Sequence, residues 1–291
     1  MRMVSSAPPH PVPRYSRLQT SDGVSLALER HGDGLGPAVV FAHGFGQTRD
    51  AWASCAQAAA AAGWSAISYD TRGHGESGWL ASGEYSVDQL VGDLRQVSGQ
   101  SARPPVVVGA SMGGLVGIAL AGSAPDACRA LVLVDITPRW EPAGVERIVE
   151  FMRAHPQGFS GLDEAADVIA AYLPHRNRRK SPQGLGRLLR EGADGRLRWH
   201  WDPRMLEPIA SDGVRHQDDL LQAAARIRVP TLLISGAASD VVSSSTIDEF
   251  MDLVPHASHI AVARATHMVA GDENSQFTRH VLEFLQGLPP D

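Results

Sequence analysis

The sequence is poor in cysteine, in basic charge and in long apolar runs. Its 291 residues include two cysteines, Cys55 and Cys128, both in alanine-rich segments, which is typical of a reducing compartment rather than a disulfide framework. Lys and Arg number 26 against 32 Asp and Glu, a net charge of −6, which argues against a nucleic-acid-binding face. No segment approaches the roughly 20 apolar residues that span a bilayer, and the N-terminus has no signal-peptide pattern. We therefore expect a cytoplasmic protein without nucleic-acid or membrane partners.

Signals for metals and bound nucleotides are also missing. No histidine or acidic cluster has the spacing of a zinc site, and no P-loop is present. The sequence thus predicts a protein that binds a small molecule and needs neither metal nor cofactor. It indicates no oligomeric state.

Short apolar runs alternate with amphipathic stretches along most of the chain. Runs such as Ala38–Ala42 and Ala130–Val134 are continuously apolar, which is typical of strands covered on both faces. Further strands are predicted at 65–69, 105–109, 230–236 and 258–263, and helices near 52–62, 87–97, 112–121 and 273–286. Because strands alternate with helices, the sequence predicts an α/β fold with a mostly parallel sheet.

The alternation stops after Asp135 and resumes at residue 230. Between them, 138–217 has no run typical of a core strand, but it has helical patterns near 145–154 and 163–172 and three tryptophans. We therefore predict a helical insertion at 138–217 in one α/β domain made of 15–137 and 218–291, after a flexible tail at 1–14. An Asp-Gly pair at 22–23 predicts that the domain begins with a hairpin.

A single serine lies in a glycine-rich segment directly after one predicted strand. Gly109 to Gly113 reads G-x-S-x-G, with Ser111 between a buried strand and a helix. Such a turn exposes the serine hydroxyl at the carboxyl end of the sheet, where ligands of α/β sheets bind. The motif alone also fits an ordinary tight turn, so its surroundings decide.

A base and an acid follow later strands at the same edge of the predicted sheet. A serine hydroxyl needs a histidine to take its proton and a carboxylate to orient that histidine. Asp240 follows the strand at 230–236, and His267 follows the strand at 258–263. We predict Ser111 as nucleophile, His267 as base and Asp240 as acid.

The segment AHGFGQT, residues 42–48, follows another strand and supplies the remaining groups. Acyl transfer needs N–H donors at the developing oxyanion. The backbone N–H groups of Phe45 and Met112 are predicted to be these donors. His43 is expected to hold the loop through its ring nitrogens.

These motifs together resemble the α/β-hydrolase superfamily over nearly all of the chain outside the insertion. They are HGFGQT, DTRGHGES at 70–77, GASMGG, the aspartate after the penultimate strand, and ATH. The resemblance implies that Ser111, Asp240 and His267 form the triad, that Phe45 and Met112 form the oxyanion hole, and that the insertion is a lid. It also implies a scaffold role for Asp70, Arg72 and His74.

The identity of the acid has one alternative. Some members of the superfamily take it from the position of Asp135, which ends the strand before the insertion. We favour Asp240, because its setting GAASDVVS is similar to the usual acid loop, and expect Asp135 to cap the strand end or hinge the lid.

A serine nucleophile favours hydrolysis of an ester, thioester or lactone of small to medium size through an acyl-enzyme, with Trp140 and Met205 predicted to line the pocket. Epoxide opening and halide displacement use an aspartate at this position in the superfamily and are disfavoured. Carbon–carbon bond hydrolases and cofactor-free perhydrolases use the same triad and remain alternatives. A ligand receptor with slow or absent turnover is the alternative from another class.

Overall fold

An eight-stranded sheet covered by helices on both faces forms the core of the protein. The computed structural model describes residues 12–173, 182–272 and 274–290; residues 1–11 of the expected tail lie outside this part. The described strands are β1 (Arg14–Gln19), β2 (Ser25–His31), β3 (Ala38–Ala42), β4 (Ser65–Tyr69), β5 (Val106–Ala110), β6 (Ala130–Val134), β7 (Leu189–Glu191), β8 (Leu197–Trp199), β9 (Thr231–Gly236) and β10 (Ser258–Val262).

Helices lie between most of these strands. The described α-helices are α1 (Ala53–Ala61), α2 (Val87–Ser98), α3 (Met112–Ser123), α4 (Pro142–Arg153), α5 (Leu162–Tyr172), α6 (Pro182–Gly186), α7 (Leu206–Arg215), α8 (Gln217–Ala225), α9 (Ser244–Leu253), α10 (Val269–Asp272) and α11 (Asn274–Gly287). Within the described ranges, no helix combines the length and the apolar character needed to cross a membrane.

The strand order in the sheet is β1-β2-β4-β3-β5-β6-β9-β10. β2 is antiparallel to both of its neighbours, and the strands from β4 to β10 in this order run parallel. β3, β6 and β9 are buried along their whole length, because helices cover both faces. The predicted hairpin and the predicted parallel sheet are confirmed.

The two faces of the sheet bury separate apolar clusters. Along β3, Val40 belongs to one cluster, whereas Val39 and Phe41 belong to the other, because successive side chains of a strand point to opposite faces. Side chains of α2, α3, α8 and α9 complete the first cluster, and side chains of α1 and α11 complete the second. Because β3, β5 and β6 are neighbours in the sheet, their carboxyl ends lie side by side at the edge of this packed core.

The insertion, residues 138–217, contains α4 to α7 and a small hairpin of β7 and β8. The helices predicted near 145–154 and 163–172 are confirmed as α4 and α5. The segment also contains a small antiparallel pair of strands, β7 and β8, outside the core sheet, which the sequence did not predict. Each of these strands has three residues, which is too short for an alternating pattern to be recognised.

The insertion packs against the loops that follow β3 and β4. The Asp202 backbone N–H donates to the Gly73 carbonyl at 2.8 Å, and the Tyr85 hydroxyl donates to the Asp202 carboxylate at 2.8 Å. The Trp201 ring lies 5.0 Å from the Phe45 ring, centroid to centroid. The insertion is thus attached at the edge of the sheet where Ser111 is found.

Buried ion pairs hold the loop after β4. Arg72 is 2% exposed, and its guanidinium donates to Asp93 of α2 at 2.6 and 2.7 Å and to Asp22 at 2.7 Å. The Asp70 carboxylate accepts the Arg49 backbone N–H at 2.7 Å and pairs with the Arg49 guanidinium. These contacts agree with the scaffold role that the resemblance implies for Asp70 and Arg72.

Two buried histidines connect the loops after β3 and β4. His43 accepts the Thr71 N–H at Nε2 (3.0 Å), so its Nδ1–H donates to the Gly44 carbonyl (2.8 Å). His74 accepts the Gly46 N–H at Nε2 (3.1 Å), and its Nδ1 lies 3.3 Å from the Arg72 carbonyl. Burial lowers the pKa of both imidazoles. For His43, the Asp70 carboxylate partly offsets the effect of burial on the pKa, and Arg49 lowers the pKa further. For His74, the neighbouring His43 and His200 lower the pKa further. The Nε2 atoms of His43 and His74 can accept these hydrogen bonds only when each imidazole is neutral.

The free energy of unfolding is expected to fall as the pH drops below the ordinary histidine pKa of 6.5. Below that pH, His43 and His74 bind protons in the unfolded chain but stay neutral in the folded protein. The free energy of unfolding therefore decreases by up to about 1.4 kcal/mol per pH unit for each histidine. Denaturant unfolding from pH 8 to pH 5 measures this slope. His74→Gln, which keeps an acceptor for Gly46, should reduce the slope, and an unchanged slope in that variant would contradict the assignment.

Candidate active site

Ser111 lies on a strained turn between β5 and α3. Its φ of 48° and ψ of −119° lie outside the regions that residues with a side chain prefer, a conformation found at functional turns. The flanking glycines are required by close backbone contacts: a Cβ on Gly113 would lie 2.3 Å from the Ala42 carbonyl oxygen, and one on Gly109 would lie 2.4 Å from the Gly113 oxygen. The segment has the geometry of a nucleophile elbow.

Two backbone segments meet beside this serine. Met112 is the first residue of α3, so its N–H has no partner within the helix, and the helix N-terminus favours negative charge there. The loop after β3 lies opposite, because a Cβ on Gly44 would come within 3.3 Å of the Ser111 Cβ. The next residue of that loop is Phe45. Phe45 and Met112 therefore belong to the two segments that meet at Ser111, and their role as oxyanion donors stays a prediction.

His267 contacts Asp135, not Asp240. The Nδ1 of His267 lies 2.8 Å from Oδ2 of Asp135, whose side chain is fully buried, while the His267 side chain is 12% exposed. Nδ1–H donates to the carboxylate, so that in the neutral ring Nε2 is the nitrogen that can accept a proton. The expectation that Asp240 orients His267 is not met.

Asp240 turns away because the loop after β9 is tied to Asp135 through other groups. The Gly236 N–H donates to Oδ1 of Asp135 at 2.6 Å, and the Ser239 hydroxyl donates to Oδ2 at 2.5 Å. With Ser239 in this position, the side chain of the next residue, Asp240, pairs with Arg147 of α4 at 2.5 Å and is 36% exposed. Asp240 thus joins the core to the insertion.

A signal for Asp135 was present in the sequence. It follows β6, the neighbour of β5 in the sheet, so its position beside Ser111 follows from strand order. Its φ of 50° is tolerated by aspartate better than by most residues. The similarity of the loop around Asp240 to the usual acid loop does not reflect which strand lies beside β5.

Ser111 and His267 face a common loop but are not hydrogen-bonded to each other in the part of the chain that is described. Gln47 connects the two sides: its side-chain oxygen accepts the Gly44 N–H at 3.3 Å, and its amide nitrogen lies 3.5 Å from the Met268 sulfur. Gly44 is next to Ser111 and Met268 is next to His267. Catalytic hydrogen bonds are often loose until substrate binds.

The residues predicted to line the pocket are buried. Met205 has no exposed surface, and its sulfur would be 3.0 Å from a Cβ on Gly73. Trp140 is 7% exposed and belongs to the same apolar cluster as Met112. The half-buried Met152 of α4, absent from the predicted set, lies over the loop after β3, with its methyl carbon 2.6 Å from a Cβ built on Gly46. Met205 is therefore expected to pack the insertion onto the core rather than to contact a substrate.

Comparisons with known proteins show the family of the chain. The family model described as the alpha/beta hydrolase fold matches residues 37–273. The chain is 29% identical over 290 residues to the esterase Rv0045c of Mycobacterium tuberculosis, covering 96% of this chain and 90% of that protein. It is 29% identical over 272 residues to the sn-1-specific diacylglycerol lipase ABHD11 of Mus musculus, covering 87% of this chain and 82% of that protein. A solved structure of the Mycobacterium tuberculosis esterase has a TM-score of 0.75 at 26% identity, covering 95% of this chain and 93% of that one. Since the family model spans most of the sequence, the chain belongs to the α/β-hydrolase fold family.

Proposed function

We propose that this protein is a serine hydrolase that cleaves carboxylic esters through an acyl-enzyme. The observation that carries the proposal is the 2.8 Å contact of His267 with a fully buried Asp135, at the edge of the sheet where the strained turn presents Ser111. The similarity to an esterase and to a lipase supports esters as the substrate class. Thioesters and lactones have the same acyl chemistry and belong to the same proposal.

The proposed reaction begins with the neutral His267. Asp135 accepts the Nδ1 proton, so Nε2 takes the proton of Ser111 as its oxygen attacks the ester carbonyl. The developing oxyanion accepts from the N–H groups of Phe45 and Met112, each of which contributes roughly 3–4 kcal/mol in comparable sites. His267 then gives its proton to the leaving alcohol, and water, activated by His267, releases the acid.

The two loop donors on Asp135 have a defined part in this scheme. Gly236 and Ser239 fix both carboxylate oxygens, so the carboxylate cannot rotate away when His267 becomes charged. A charged imidazole beside a fixed carboxylate is stabilised without rearrangement, which is the advantage of a preorganised site. We therefore assign the acid role to Asp135 and a structural role to Asp240.

The insertion is proposed to be a lid over Ser111, since acyl-transfer sites gain from excluding water. Met152 of α4, which lies over Gly46, and Phe45 of the loop after β3 are proposed as walls of the acyl pocket. Trp140 is proposed as a further wall of the acyl pocket. An apolar wall of this kind suits a hydrocarbon acyl group.

Ser111→Ala should abolish turnover of p-nitrophenyl esters, by several orders of magnitude, while the protein remains folded. The reason is that no other hydroxyl is placed on the turn. Initial rates and labelling by a fluorophosphonate probe measure the loss, with circular dichroism as the control for folding. Near wild-type turnover in this variant would contradict the nucleophile. A wild-type protein that is neither labelled nor active would support a ligand receptor instead. Activity on ring-cleavage diketones but not on esters would support a carbon–carbon bond hydrolase, and peracid formation without ester hydrolysis would support a perhydrolase.

Asp135→Asn should lower kcat by about 10⁴-fold, because the amide no longer holds His267 in the tautomer that accepts a proton. Asp240→Asn is the matched control. It removes a half-exposed ion pair with Arg147, worth at most about 1 kcal/mol of stability, and should leave kcat nearly unchanged. Steady-state kinetics of both variants on one ester decide the matter. A larger loss in the Asp240 variant would return the acid role to that residue.

Met152→Ala should shift the preferred acyl chain to a longer one, because it removes volume above Gly46. A series of p-nitrophenyl esters from acetate to laurate measures kcat/KM for each chain length. Met205→Ala is the control: as a fully buried side chain, it should cost about 2–5 kcal/mol of stability and keep the wild-type order of preference. A parallel decrease for every ester in the Met152 variant would exclude a pocket role.

A further inference from the structure

Three histidine rings surround the backbone on either side of Phe45. His43 donates to the carbonyl of Gly44, and His74 accepts the N–H of Gly46. His200 lies 3.2 Å from the Gly46 carbonyl through Nε2. The ring centroids of His43 and His74 are 5.2 Å apart, and those of His74 and His200 are 5.8 Å apart. The peptide groups before and after Phe45 are thus fixed by side-chain bonds.

His200 differs from the other two because it comes from the insertion. It is 2% exposed, and it lies between Trp199, the last residue of β8, and Trp201, whose ring packs on Phe45. Its Nδ1 accepts the Gly75 N–H at 2.8 Å. The single proton of the neutral ring is therefore on Nε2, where it donates to the Gly46 carbonyl. One side chain of the insertion bonds both core loops at once.

We propose that His200 is a positioning residue of the oxyanion hole, through which docking of the insertion fixes the peptide that follows Gly46, next to the loop peptides held by His43 and His74. This rests on the proposed function, in which the Phe45 N–H stabilises the oxyanion. The carbonyl of Gly46 belongs to the peptide group after Gly46, and its N–H to the peptide that follows Phe45. His200 holds the peptide group after Gly46, and His74 holds the peptide group before it, so the loop cannot rotate about Gly46.

The conformation of Gly46 makes this restraint necessary. Gly46 has a φ of 73°, in the left-handed region that glycine enters without steric cost, and glycine is also the residue that leaves such a region most easily. Without a bond on its carbonyl, Gly46 can leave this conformation, and the neighbouring peptide group that carries the Phe45 N–H loses one of the restraints on its side of the loop. Misplacement of a catalytic group by about 1 Å costs as much as 10²-fold in rate.

Two substitutions of His200 separate its two hydrogen bonds. His200→Gln can place an amide N–H near the position of Nε2 and so keep the donor to Gly46. His200→Asn can place an amide oxygen near the position of Nδ1 and so keep the acceptor for Gly75, but it cannot reach Gly46. Each variant loses one buried hydrogen bond, so both should lower Tm by similar amounts.

The expected result with p-nitrophenyl acetate is a kcat about 10-fold lower in His200→Asn with little change in KM, because the oxyanion forms only after substrate binds. His200→Gln should stay within about threefold of wild type. The rate of fluorophosphonate labelling of Ser111 should follow the same order. If His200→Asn does not fold, the Gln variant decides alone, and a 10-fold loss of kcat in it overturns the proposal.

Tyr85→Phe is the matched control. It removes the hydrogen bond from Tyr85 to Asp202, which attaches the same segment of the insertion to the core through the loop after β4. Its Tm should decrease while kcat stays at the wild-type value. An unchanged kcat in His200→Asn, or equal losses in the Asn, Gln and Tyr85→Phe variants, would overturn the role of His200. Either result leaves an active wild-type enzyme, whereas failure of the proposed function leaves none.

Discussion

The fully buried carboxylate of Asp135 connects the parts of the site that come from different regions of the chain. It directly follows β6, accepts from Gly236 at the end of β9 and from Ser239 of the next loop, and accepts from His267 of the loop after β10. A buried carboxylate is costly unless its oxygens are hydrogen-bonded, so these three donors are held where the carboxylate requires them. The position of His267 relative to the sheet is therefore a consequence of one charge that has to be satisfied.

Much of this fold could be read from the sequence because the core strands are continuous apolar runs. β3, β4 and β6 have the predicted bounds, and the strained turn at Ser111 follows from glycines that close backbone contacts require. The elements that escaped prediction have weak local signals. β7 and β8 are three-residue strands that exist only as a pair, and α9 has an amphipathic pattern that lies between two stronger strands.

The partner of His267 shows a different limit. Asp135 and Asp240 are both aspartates at the carboxyl ends of strands, and nothing local separates them. The choice depends on which strand lies beside β5 and on the Ser239 hydroxyl, which takes up the space next to the Asp135 carboxylate. Likewise, His200 is one of twelve histidines, and its contact with Gly46 spans more than half the chain. Such contacts are set by tertiary packing rather than by spacing in the sequence.

The separation of β6 from β9 has a consequence for how this fold varies. The two strands are neighbours in the sheet, yet on the order of 100 residues lie between them, and folding must close that loop. Loop-closure entropy grows only with the logarithm of length, so doubling the intervening segment would cost about 0.6 kcal/mol. The insertion is thus free to change in length and sequence at small thermodynamic cost to the sheet, provided that a few docking contacts are kept. A chain built in this way can acquire a new substrate range without rebuilding the strands that hold its nucleophile.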